Sequence, residues 1–429
     1  MAPEGGGGPR SGIEEITLEQ LLGEMHAEER RLPIQGTLET TFRCNLNCVH
    51  CYVNEPAGAT EVRERELSLT RLQALIDEVV DAGCLSLLLT GGEVLVRPDF
   101  PELYLYAIGK GLRVTIFTNG TLVTEAIADL LDRHRPLMVE ISLYGATRET
   151  YERVTRVPGS FAKCLQGIDR LRARGIPLEL KTMAMTWNLD EIDAMREMAR
   201  ARGLEFKHDG LLNPRIDCGS SRNGELQLRP DQVVALDLRD PERVRRLREV
   251  CNEALQAGAP AAPEEYVYGC GAGRNSFTVD PYGRLQMCQL SRRAHFDLRS
   301  APFAGGWNGL FPMLRERRWQ SNSVCRSCSL ISLCGSCPGA AELEHGDVEA
   351  MVAQFCEITH LRTHALAGEV PGHRPDATCC LGQGRGSAPE TAAASAGGCG
   401  SCSHAAPAAG SLIQIGRKPA HPGEPTSAA

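Results

Sequence analysis

The 429-residue sequence predicts an α/β fold: a partial (β/α)6 barrel, a cysteine-rich C-terminal domain and a low-complexity tail. Three observations predict it. From about Pro33 to Asp209, short apolar runs alternate six times with stretches of helical period. Glycines follow most of those helical stretches, where helices commonly stop. Most of the 18 cysteines fall in short-spaced groups, one inside the alternating region and one beyond it. Six strands are too few for a closed eight-stranded barrel, so an open sheet is expected.

The elements follow in order. Residues 1–32 form an N-terminal extension whose charged stretch, Glu14 to Arg31, suits a helix but is too short for a separate peptide-recognition domain. The core spans 33–212. Its first strand, Gly36 to Thr41, leads into a cysteine loop. Ser68 to Ala82 reads as a helix with Ser68 or Thr70 as N-cap and Gly83 as stop. Leu85 to Leu89 is a continuous apolar run, as in a strand covered on both faces. Helix Phe100–Lys110 then precedes strand Arg113–Phe117, and helix Thr124–Arg133 precedes strand Met138–Leu143. Helix Phe161–Ala173 precedes strand Leu178–Met185, and helix Leu189–Ala201 precedes strand Glu205–Asp209. Alternation of this kind implies a parallel sheet. Residues 213–265 are a polar bridge, 266–366 carry the second cysteine group, and 367–429 are rich in Ala, Gly, Pro and Ser, a composition expected to be disordered.

Composition narrows the class. A net charge of −8 gives no electrostatic reason to expect nucleic acid or an anionic membrane as partner. No apolar run approaches the about 20 residues that cross a bilayer. Met1 to Arg10 lacks the apolar region of a signal peptide, so a cytoplasmic protein is the simplest expectation. In a reducing compartment, clustered cysteines point to metal ligation or catalysis rather than disulfides.

Cys44-x3-Cys48-x2-Cys51 places three thiols in eight residues directly after the first strand. Soft thiolates select iron–sulfur clusters or zinc. A structural zinc wants four ligands, and His50, adjacent to Cys51, is awkwardly placed to share one ion with it. Three ligands on a four-iron cube leave one iron open to a substrate. Leu87-Leu-Leu-Thr90-Gly91-Gly92-Glu93 adds a Gly-Gly-Glu turn after the second strand, where glycines allow close backbone approach and Glu93 offers a carboxylate. Together these motifs resemble the radical S-adenosylmethionine (SAM) superfamily. The resemblance implies a 4Fe–4S cluster on Cys44, Cys48 and Cys51 that cleaves SAM. It also implies that Gly91, Gly92 and Glu93 receive the SAM amine. His50 joins the cofactor-binding set. Asn119 and Ser142, at the third and fourth strand ends, would face the ribose, and Lys181 could reach the SAM carboxylate. Arg153 and Arg156 are weaker candidates. Val94 replaces the family's usual proline and Tyr144 its frequent aspartate.

The second group comprises Cys270, Cys288 after Gly283, then Cys325-x2-Cys328-x5-Cys334-x2-Cys337 and Cys356. It resembles the SPASM extension of peptide-modifying radical SAM enzymes, with one residue fewer between Cys334 and Cys337. That resemblance implies two auxiliary iron–sulfur clusters: a distal one on Cys325, Cys328, Cys334 and Cys356, and a proximal one on Cys270, Cys288 and Cys337. The proximal set is one thiol short. An open or substrate-ligated iron, Cys218, or a tail cysteine (Cys379, Cys380, Cys399 or Cys402) could complete it. On spacing alone the two CxxC pairs would also suit zinc. Cys84, Cys164 and Cys251 read as ordinary core or surface thiols. The resemblance further implies a peptide or protein substrate, oxidative modification or crosslinking, and an electron donor such as a flavodoxin or ferredoxin. A radical SAM enzyme of small molecules and a non-enzymatic metal-bearing binding protein are the alternatives.

Overall fold

The computed structural model describes residues 31–53, 55–216, 223–258 and 263–381. The expected N-terminal helix up to residue 30, Cys218, Cys399, Cys402 and the tail beyond residue 381 lie outside them. Strand β1 (Gln35–Thr41) is followed by β2 (Arg43–Cys44), which pairs with β3 (Glu55–Pro56) and closes the first cysteine loop. Then come β4 (Ser86–Gly91), β5 (Arg113–Thr118), β6 (Met138–Ser142), β7 (Leu178–Met183) and β8 (Glu205–Asp209). These five and β1 run parallel in the order β1-β4-β5-β6-β7-β8, the expected partial barrel.

The strands alternate in burial, which explains the sheet's two faces. Leu87, Leu89, Val114, Ile116, Val139 and Ile141 are fully buried against the helices. Leu88, Thr115, Phe117, Glu140 and Ser142 point to the other face and are half-buried. The β4 run is therefore covered fully on one side only, so its Leu88 faces the barrel interior. The helices form where expected: Ser68 caps Leu69–Asp81 by accepting the Arg71 N–H, and Thr124 caps Glu125–Arg133 by accepting the Ile127 N–H.

Two features went unforeseen. A helix, Arg148–Thr155, follows β6. Three further strands, β9 (Ser276–Val279), β10 (Arg284–Gln286) and β11 (Phe296–Asp297), extend the sheet beyond β1. β9 lies parallel to β1, so the cysteine-rich region and the barrel share one nine-stranded sheet. Gly36 permits this join, because a Cβ there would lie 2.5 Å from the Phe277 ring. The bridge region supplies two helices, Pro230–Leu238 and Pro241–Ala257. Residues 368–381, assigned from composition to the tail, fold back and end in a helical turn, Thr378–Leu381, with Cys380 buried. No helix among the described residues is long and apolar enough to cross a membrane.

Candidate functional site

β1 delivers the chain to Cys44 at the C-terminal edge of the sheet, and the loop to Cys51 is pinned from below. The Asn47 N–H donates to the Thr155 carbonyl at 3.0 Å and the Val49 N–H to the Val154 carbonyl at 3.0 Å. Those carbonyls end the Arg148–Thr155 helix, where no intrahelical donor remains, so helix end and loop satisfy one another. The Cys51 N–H closes a tight turn on the Cys48 carbonyl. All three thiols are half-buried.

Burial pushes the Cys44 thiol up to about 12, with the negative charges of Glu93 and Cys51 adding to the effect. Cys48 is driven well above the ordinary thiol range by burial and then by Cys51 and Cys44. As thiolates the three would repel one another. A thiophilic cationic centre offsets that repulsion, so the donor set fits an iron–sulfur cluster.

The Gly-Gly-Glu turn docks against the same loop. The Gly92 N–H donates to the Thr41 carbonyl at 2.7 Å, and the Glu93 N–H to the Arg43 carbonyl at 3.0 Å. A Cβ on Gly91 (φ 128°) would lie 2.1 Å from the Thr41 oxygen, and one on Gly92 2.4 Å from the Arg43 oxygen. The glycines are thus required by the approach to β1 and β2, a reason distinct from the expected approach to a ligand. Glu93 is fully buried. Its Oε1 accepts from the Thr118 hydroxyl at 2.7 Å and the Leu95 N–H at 3.1 Å, and its Oε2 from the Asn119 N–H at 2.7 Å. Burial raises its carboxyl, against those hydrogen bonds.

Asn119 follows β5 and reaches the cysteine loop. Its amide donates to Asn45 Oδ1 at 3.0 Å and lies 3.7 Å from Cys44 Sγ. His50 is buried, packs edge-on to Tyr144 with centroids 4.7 Å apart, and has an Nδ1 without a hydrogen-bond partner. Burial pulls its imidazole down to about 4, so it is neutral. Cys44, Cys48, Cys51, His50, Glu93 and Asn119 therefore cluster at one strand-end site. Lys181 has a carboxylate partner of its own. Its ammonium donates to Glu140 Oε2 at 3.1 Å inside the barrel, and burial pulls it down to about 8 although Glu140 opposes the shift. Ser142, in register with Lys181, lines the same interior. Arg153 stacks on Trp187, 4.0 Å from the ring centroid.

The second cysteine group divides in two. Cys325, Cys328, Cys334 and Cys356 line one cavity, together with Cys380. Cys288 is raised by burial and then by Cys337 and Cys270, which marks those three as a second set. Cys379 and Cys380 belong beside the first of these sets: both act on Cys328. Neither is placed to complete the set of Cys270, Cys288 and Cys337, which corrects that candidacy. Between the two halves of the molecule, Arg292 holds the buried Glu39 by two bonds, Nη1–Oε2 2.7 Å and Nη2–Oε1 2.9 Å. Gln289, next to Cys288, donates to the hydroxyl of Tyr52, next to Cys51, at 3.5 Å. Sequence reasoning singled out neither pair, because each joins residues more than 230 positions apart.

Residues 38–199 match the model of the Radical SAM superfamily. The chain is 29% identical to the AdoMet-dependent heme synthase of Methanosarcina barkeri, over 72% of this chain and 92% of that protein. It is 30% identical to the mycofactocin maturase MftC of Mycobacterium ulcerans, over 72% of this chain and 84% of the maturase. The crystal structure of Streptococcus suis SuiB bound to the precursor peptide SuiA shares the fold, with a TM-score of 0.59 at 14% identity over 80% of this chain and 82% of SuiB. A maturase at that identity, matched over most of its length, and the superfamily match together show that the chain belongs to the radical SAM superfamily, enzymes that use a 4Fe–4S cluster and SAM.

Proposed function

We propose that this radical SAM enzyme carries out an oxidative modification, a crosslink or a dehydrogenation, on a ribosomally made peptide or protein. Cys44, Cys48 and Cys51 would hold the SAM-cleaving cluster. Cys325, Cys328, Cys334 and Cys356 would hold a distal auxiliary cluster, and Cys270, Cys288 and Cys337 a proximal one. When bound, cluster and SAM supply reductive scission of the C5′–S bond and the 5′-deoxyadenosyl radical that takes a substrate hydrogen.

The chain's own residues orient and enclose. The Gly91–Gly92 turn fixes Glu93 beside Cys44, where a carboxylate suits a cationic amine. Neutral His50, buried and edge-on to Tyr144, sets an aromatic pair beside the cysteine loop. Glu140 and Lys181 put a polar pair on the interior face, suited to a zwitterionic or peptidic ligand.

The observation that carries the peptide reading is the second cysteine group, divided into two sets, one of them with three thiols, in a region whose strands extend the barrel's sheet. Such centres can accept the substrate electron, and a three-thiol set can bind a substrate thiolate. The maturase relative agrees with it. The heme synthase relative favours a second reading, a tetrapyrrole substrate.

Anaerobic turnover with SAM, a flavodoxin or ferredoxin donor and a short peptide encoded beside the gene decides between them. The expected result is peptide-dependent 5′-deoxyadenosine with a product lighter by two hydrogen atoms. Heme formation from a porphyrin precursor, with the peptide unchanged, would overturn the peptide reading.

A further inference from the structure

Beside the distal cysteine cavity, His360, His373, Cys379 and Cys380 each bring one ligand atom within 4.8 Å of the others. We propose that they form a mononuclear zinc site, a Cys2His2 clip that fastens residues 368–381 over the cavity wall.

Two of the four-atom group's edges have the lengths of a tetrahedral site, and the remaining ones lie within 4.8 Å. Zinc bonds of about 2.3 Å to sulfur and about 2.0 Å to nitrogen put neighbouring S and N ligands about 3.5 Å apart and two sulfurs about 3.8 Å apart. Cys380 Sγ lies 3.6 Å from His360 Nε2, and Cys379 Sγ 3.8 Å from Cys380 Sγ. The latter is far from a disulfide bond length.

Each histidine has one nitrogen engaged and one available. His360 Nδ1 is 2.6 Å from the Arg374 carbonyl and 3.8 Å from Cys379 Sγ; the shorter contact takes its proton, which leaves Nε2, facing Cys380, as the ligand. His373 Nε2 is 2.7 Å from the Ser329 hydroxyl, while its Nδ1 is buried with no partner. Metal-bound histidines ordinarily donate their other N–H to a carboxylate, a backbone carbonyl or water; the Arg374 carbonyl takes that place for His360 and the Ser329 hydroxyl for His373. The Arg374 N–H also donates to Cys379 Sγ at 3.4 Å. The clip is preorganised: His360 is 1% exposed and Cys380 7%.

The site has a structural consequence. His360 lies one turn after Cys356 on the Ala353–Ala367 helix, so one helix face serves both the cavity and the clip. Cys380 contributes to the wall of that cavity. A four-iron cubane takes four thiolates, which Cys325, Cys328, Cys334 and Cys356 supply, so Cys380 is surplus there and fits the zinc. This last step rests on the assignment of those four to iron.

Zinc K-edge X-ray absorption on the full chain, reconstituted anaerobically with iron and sulfide, is the test. The expected result is about one zinc per chain with a shell of two sulfurs and two nitrogens. Ser329→Ala should weaken zinc retention against a chelator about 10-fold, with iron content and SAM cleavage unchanged. Cys379→Ser should release the zinc while leaving the iron. Absence of zinc, or a Cys379–Cys380 disulfide in its place, overturns the proposal. An all-sulfur zinc shell with iron reduced by one cubane also overturns it, and overturns the distal cluster as well. A mixed shell in a protein that turns over no peptide leaves the clip standing and removes only the peptide reading.

Discussion

Glu93 carries two obligations at once. Its oxygens satisfy the Thr118 hydroxyl and the N–H groups of Leu95 and Asn119, and its charge is kept for the proposed SAM amine. Glu93→Ala strands those donors in the core and should cost about 1–3 kcal/mol, read by urea unfolding. Glu93→Gln keeps an acceptor and should cost less, yet weaken SAM binding about 10-fold or more, as loss of a charge-assisted bond does. Unchanged SAM affinity in that variant would take Glu93 out of the SAM site. Lys181 gives a pH test. Its folded value near 8 lies below its ordinary 10.5, so the buried ammonium opposes folding at neutral pH. That penalty, on the order of 3 kcal/mol, is full below pH 8 and fades as pH rises toward 10.5. Stability of the natural chain relative to Lys181→Met should therefore rise between those pH values, and a flat difference would show an unperturbed lysine. At this scale the cysteine triplet was legible because its spacing is local in sequence. The Lys181–Glu140 pair was not, since it depends on the register of β6 against β7.

The Arg148–Thr155 helix illustrates how an element about 100 positions from the thiols in sequence can govern them through its contact with their loop. Its start is tied by Glu191, which accepts from the Ala146 and Thr147 N–H groups and from the Thr147 and Thr150 hydroxyls. Its end receives the cysteine loop. Glu191→Ala should loosen the helix by about 1–2 kcal/mol. It should lower iron retention at the first site while sparing the second group, measured as iron per chain against a C-terminal cysteine variant. Equal loss at both sites would mean general unfolding. The six barrel strands were readable because runs such as Leu87–Leu89 and the alternation Val114, Ile116 expose a period. The Arg148–Thr155 helix was hidden by its charged sequence, RETYERVT, of which only Tyr151, Val154 and Thr155 are buried. Strands β9–β11 are too short, two to four residues, to show alternation.

The molecule as a whole is joined through β1. Sequence composition suggested a barrel and a separate cysteine-rich domain, because the change in cysteine density is local while the β1–β9 pairing is not. Glu39 and Arg292 then set an ion pair across that join, with Glu39 fully buried and Arg292 nearly so. Burial raises the Glu39 carboxyl and Arg292 opposes that shift, so the acid depends on its partner. Removing one member leaves the other buried without its ion-pair partner. Arg292→Met alone should cost about 3–5 kcal/mol, while Glu39→Leu with Arg292→Met should come much nearer the natural chain. A double-mutant cycle by urea unfolding measures this, with a coupling of several kcal/mol expected. The shared sheet also predicts that residues 33–366 unfold in one cooperative step. If Arg292→Met instead split unfolding into two transitions, the ion pair rather than the β1–β9 ladder would be what couples the barrel to the cysteine-rich region. Gln289 and Tyr52 would then lose their fixed contact, and with it the tie between the loops of Cys51 and Cys288.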